Sequence, residues 1–99
     1  MLNEENKNLR FQLEKTLAAM TVHLNASEEV ILAEYLKKYQ DALLSFELNS
    51  QEEKSKKLKA ILGCARGYME YSSNYEQQFL QEMWKTERIA KQELGRLHI

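Results

Sequence analysis

The chain has no proline, one cysteine, two histidines and three glycines among 99 residues. Each shortage excludes something. A β-rich or α/β chain of this length needs turn residues more often than this, so the absence of proline, together with many Leu, Glu, Lys, Gln and Ala, predicts an all-α fold. One cysteine forms no internal disulfide, which suits a reducing compartment. The histidines, His23 and His98, lie far apart and neither belongs to a Glu-x-x-His pair, so no metal centre and no cofactor is expected. No apolar run approaches the roughly 20 residues of a membrane span. The opening "MLNEENKNLR" is polar, so no signal peptide and a cytoplasmic location are expected, and "NAS" at Asn25 to Ser27 is read as a chance match to a glycosylation acceptor.

An excess of charge of either sign is also lacking, with 14 Lys and Arg against 15 Asp and Glu. The net charge is −1, which supplies no global field toward nucleic acid or anionic lipid. The distribution is uneven. Residues 25–49 carry two lysines against five acids, and residues 50–72 carry five basic residues against three acids. Such a dipolar surface suits a protein partner or self-association.

What is present is helical punctuation. Asn25 or Ser27 caps a helix carrying Glu28 and Glu29 at its positive end, and Ser50 with Glu53 forms a capping box. A weaker start lies at Ser72 to Asn74. These breaks divide the chain into helices at roughly 2–24, 27–48, 51–72 and 74–97, the plan of an antiparallel four-helix bundle. A three-helix alternative with one long helix over 51–97 keeps its apolar positions in phase through the last break. Buried stripes follow the three- and four-residue spacing of amphipathic helices. They comprise Leu2, Leu9, Leu13, Leu17, Met20 and Leu24, then Ile31, Leu32, Tyr35, Tyr39, Leu43 and Phe46, then Leu58, Ile61, Ala65 and Met69.

Two helices also carry apolar or small residues on the far side. Phe11, Ala18 and Val22 lie opposite the first stripe. Ala60, Gly63, Cys64, Gly67 and Tyr71 lie opposite the third. Apolar positions on both sides predict a helix covered on both sides, so Phe11, Ala18, Val22, Ala60, Gly63 and Gly67 are candidate helix-contact or dimer residues. For the two glycines, close helix approach competes with a shorter helix that ends at Leu62 with Gly63 just past it, and with simple exposure. Leu2, Asn6 and Leu9 fit a short parallel coiled-coil zipper, in which asparagine at a core position favours two strands.

Chemistry is thin. Cys64 has a basic neighbour, Arg66, but no nearby histidine, and reads as a packing residue. "LGCARG" lacks the strand and the Lys-Ser/Thr of a phosphate-binding loop. Tyr68, Tyr71 and Tyr75, with Trp84 beyond, have the amphipathic character of partner-binding residues, and a tyrosine rim around a small core explains the same pattern. The basic run "KSKKLK" places Lys54, Lys56 and Lys59 as the candidate contacts of a nucleic-acid-associated regulator. The leading expectation is a non-enzymatic adaptor, chaperone or regulator that binds another protein and forms a homodimer. A pocket for a small apolar ligand between tyrosine-bearing helices is a third class.

Overall fold

The structure, a computed structural model, describes residues 4–48, 50–72 and 77–97. Helix α1 runs over Glu4–Ser27, α2 over Val30–Leu44, α3 over Gln51–Ile61, α4 over Cys64–Tyr71 and α5 over Gln78–Leu97. A single 3-10 turn, Ser45–Glu47, ends the second arm. Among the described residues there is no strand. The helices form a compact all-α antiparallel bundle measuring 41 × 20 × 20 Å. Its third arm is α3 followed by α4. α1 lies between α2 and α5, and α3 packs on both α2 and α5, which closes the ring.

The direction of each arm is visible in its cross-contacts. Arg10 near the start of α1 meets Glu47 at the end of the second arm at 2.6 Å. His23 near the end of α1 meets Glu29 before α2 at 3.6 Å. Lys54 and Gly63 of the third arm face Glu93 and Glu87 of α5. Lys54 over Phe46 with Gly67 against Tyr35, and His23 on Phe79 with Thr16 on Thr86, run the remaining two pairs the same way, so each neighbouring pair is antiparallel.

The core is built from the predicted stripes. Leu9, Leu13, Met20, Leu32, Tyr39, Leu58, Ile61 and Ala65 are buried, and Leu17, Leu24, Ile31, Tyr35, Leu43, Phe46 and Met69 pack around them. α5 adds Phe79, Leu80, Met83, Ala90 and Leu94. Leu2, Tyr75 and His98, and the side chains of Asn6 and Leu97, lie outside the described residues. The zipper reading and the loop after Ser72 fall there in large part.

Several boundaries differ from expectation for identifiable reasons. α1 continues through Asn25 to Ser27, where Glu28 takes a left-handed conformation (φ 57°) and ends it. α2 consequently starts at Val30, with Glu29 as its N-cap and no side-chain cap bond. Ser27 still helps the turn, since its Oγ accepts from the Glu29 amide at 3.4 Å. The Ser50 cap forms as predicted, with Oγ accepting from the Glu53 amide at 3.2 Å.

A continuous helix over 51–97 does not form, and neither does an unbroken helix over 51–72. Leu62 (φ −66°, ψ 131°) and Gly63 (φ 92°, ψ −8°) form a type II turn between α3 and α4. Gly63 is required there, because a Cβ strains a left-handed backbone. α4 then ends at Tyr71, with Ser72 extended.

Candidate interaction surfaces

The turn between α3 and α4 leaves the first amides of α4 without partners in their own helix. Glu87 of α5 supplies them. Its carboxylate accepts from the Gly63 amide at 3.0 Å and from the Ala65 amide at 2.8 Å. The Tyr39 hydroxyl donates to the same carboxylate at 3.0 Å. The buried acid thus joins α2, α4 and α5 at one point. Burial pushes its pKa up, and the Ala65, Gly63 and Tyr39 hydrogen bonds pull it back. Cys64 sits beside this junction. Its thiol is buried, and desolvation followed by the Glu87 charge pushes its pKa up to about 11. A thiol in that state is inert packing rather than a nucleophile.

Above Glu87 lies a cleft of about 370 Å³, lined by Leu62, Gly63, Trp84, Glu87, Arg88 and Lys91. Trp84 is 42 % exposed. Leu62 and Trp84 form apolar walls, and the two cations stand on α5.

A second polar junction ties α1 to α5. Gln12 Nε2 donates to Glu82 Oε1 at 2.8 Å, and the Thr16 and Thr86 hydroxyls meet at 2.6 Å. Both hydroxyls also reach the Glu82 carbonyl, at 3.2 and 2.9 Å. Gln78 donates to the other Glu82 oxygen at 3.1 Å, and Lys15 approaches it at 3.8 Å. The Gln12 hydrogen bond is the main cause of a lowered Glu82 pKa, against opposing desolvation. The third inward acid of α5, Glu93, faces Lys54 and Arg96, each at 4.0 Å.

The outer face of α1 is apolar as expected. Phe11 is 66 % and Val22 72 % exposed, with Ala18 exposed between them. Near the end of this stripe a cavity of about 430 Å³ is lined by Ala19, Val22, His23, Ala26, Gln77, Gln78 and Phe79. His23 is half-buried against the Phe79 ring, with centroids 4.6 Å apart.

The remaining predicted residues scatter. Tyr68 is no surface residue. It is 1 % exposed, packs edge-on to Phe79 and donates to Glu29 at 2.9 Å. Its helix spacing matches that of exposed Tyr71, but α4 turns it toward the core. Tyr71 is 55 % exposed, and Tyr75 lies outside the described residues. Trp84 stands on the far arm at the cleft. Ala60 and Gly63 are exposed. Gly67 is a close-contact glycine within the chain, since a Cβ there would strike the Tyr35 hydroxyl and lie 3.2 Å from its Cζ. The small-residue face of the third arm therefore has two separate uses, a turn at Gly63 and a seat for Tyr35 at Gly67.

The basic run also divides. Lys54 is turned inward over the Phe46 ring, 4.7 Å from its centroid, and toward Glu93. Lys56 and Lys59 remain exposed. Among the described residues no group of three His, Cys, Asp or Glu is placed to hold a metal ion, and no helix is long and apolar enough to cross a membrane.

Fold and surface define a small helical bundle whose buried acids are engaged in structural contacts and whose apolar residues partly face outward. The chain belongs to the family described as "YeeD uncharacterised protein", whose model matches residues 3–94. No curated protein and no solved structure matches it.

Sequence reasoning missed Leu62, Glu87, Arg88 and Lys91. A signal was available for part of the α5 set. On a helical wheel Glu87 falls within the apolar stripe of α5 and Arg88 lies opposite it, whereas Lys91 lies no farther from the stripe than Glu82 and is not separated from the buried acids by position alone.

Proposed function

We propose that this protein is a non-enzymatic, cytoplasmic interaction protein that works as a homodimer and acts as an adaptor, chaperone or regulator of another protein. The carrying observation is the exposed stripe of Phe11, Ala18 and Val22 on α1, opposite the side that builds the core. The three positions span about 16 Å of helix, and covering them in a second copy removes apolar surface from water. The engaged states of Glu82 and Glu87 and the raised pKa of Cys64 leave these groups with structural work, which supports a role in binding rather than catalysis.

Sedimentation equilibrium at high micromolar concentration is the test. A dimer is expected for the native chain, and a monomer with unchanged helical circular dichroism is expected for Phe11→Asp combined with Val22→Asp. A native chain that sediments as a clean monomer removes the homodimer.

A further inference from the structure

Helix α5 is balanced in sequence and polarised in space. Its glutamates, Glu82, Glu87 and Glu93, are all buried. Its exposed ionisable residues are Lys85, Arg88, Lys91 and Arg96, every one a cation. Burying one sign of charge on the inner side leaves an outward face of the other sign. Trp84 stands on that face at the cleft, with Leu62 across from it.

Arg88 and Lys91 have no carboxylate within ion-pair distance among the described residues. Glu87, which immediately precedes Arg88 in sequence, turns its oxygens to Gly63, Ala65 and Tyr39. The cleft thus offers an apolar slot with an open pair of cations on one edge.

We propose that this cleft binds an acidic segment of a protein partner, seating one large apolar side chain between Leu62 and Trp84 and placing flanking carboxylates against Arg88 and Lys91. Trp84 supplies a rigid anchor with a large apolar face, and the cations supply orientation and on-rate. A nucleic-acid strand fits less well. The cationic face is short, and the slot beside it, between Leu62 and Trp84, is apolar and carries no charge for a phosphate backbone. The assignment rests on the protein-interaction reading above, and it uses a different face from the α1 stripe.

Trp84 is the chain's one tryptophan, so fluorescence excited selectively at the red edge of tryptophan absorption, beyond that of the tyrosines, reports on this cleft. The probe is an acetylated peptide with a central leucine–phenylalanine pair flanked by glutamates. A saturable blue shift is expected, weakening as salt rises. Affinity should fall about tenfold or more in Arg88→Glu with Lys91→Glu, and by a smaller factor in the neutral Arg88→Gln with Lys91→Gln. The neutral pair serves if the reversal variant fails to fold by circular dichroism. Replacing the leucine and phenylalanine by serine should abolish the shift.

No shift at millimolar peptide overturns the proposal, as does an equal shift with lysines in place of the glutamates. A shift produced by oligothymidylate or by phosphatidylglycerol vesicles but not by the peptide overturns it too. Failure here leaves the sedimentation result of the α1 stripe untouched, and failure of the dimer leaves this titration interpretable.

Discussion

The carboxylate of Glu87 on α5 accepts hydrogen bonds from the backbone amides of Gly63 and Ala65, at 3.0 and 2.8 Å, across the turn that divides the third arm. A side chain from one helix thereby caps the start of another. Replacing Glu87 by alanine strands these amides and the Tyr39 hydroxyl, and a loss of about 2–4 kcal/mol in urea unfolding is expected. Glu87→Gln keeps one acceptor and should cost less, about 1–3 kcal/mol. Equal stability of the alanine variant and the native chain would remove the capping role.

The two glycines of "LGCARG" should respond to alanine for different reasons. Gly63→Ala forces a Cβ into the left-handed region although no atom lies within 4 Å of it, and a loss of about 1–2 kcal/mol is expected. Gly67→Ala gains helix propensity but meets Tyr35, for a net loss of about 1 kcal/mol. Tyr35→Phe removes the obstructing hydroxyl, so a double-mutant cycle between positions 35 and 67 should show coupling of about 1 kcal/mol. An additive pair would mean that Tyr35 does not restrict position 67.

The two buried acids with shifted pKa values pull stability in opposite directions with pH. Glu82 is held below its ordinary value of 4.5. Its contribution is therefore present above that value and is lost as pH falls through the lower folded pKa. Glu87 is held above 4.5, so its contribution is present below 4.5 and is lost as pH rises through the higher folded pKa. Acid titrations of chemical stability should separate them. Glu82→Gln should flatten the loss of stability below pH 4.5, whereas Glu87→Gln should flatten the decline just above it. An unchanged pH profile in the Glu82 variant would contradict the linkage.

Cys64 should be silent in the folded protein. Its thiol is buried with a pKa of about 11, so alkylation by iodoacetamide at neutral pH requires local opening. Labelling should be slow in the native chain and faster in Glu87→Ala, where the α4 start loses its partner. Fast labelling of the native chain would place the thiol in solvent.

The helical class and the main stripes were legible in the sequence, because helix periodicity is local and recurs along every arm. Leu9, Leu13 and Met20, or Leu58, Ile61 and Ala65, needed only their spacing to be assigned to the core. The Ser50 cap was legible for the same reason, since donor and acceptor lie three residues apart. The exposed stripe of Phe11, Ala18 and Val22 also follows from spacing alone.

Other features depended on which helix stood opposite. Tyr68 and Tyr71 share a sequence character, yet one is core and one is solvated, because α4 is re-aimed by the turn at Gly63. Gly67 has its meaning only through Tyr35, 32 residues earlier in the chain. The charge of α5 is the clearest case. Counted along the chain, residues 82–96 carry three glutamates against four cations. Packing buries Glu82 and Glu87 against donors on the other arms and Glu93 opposite the Lys54 ammonium of the third arm, and leaves Lys85, Arg88, Lys91 and Arg96 outside. A near-neutral helix becomes a cationic surface because a buried carboxylate is tolerated only where partners from other helices meet it, and only the tertiary structure supplies those partners.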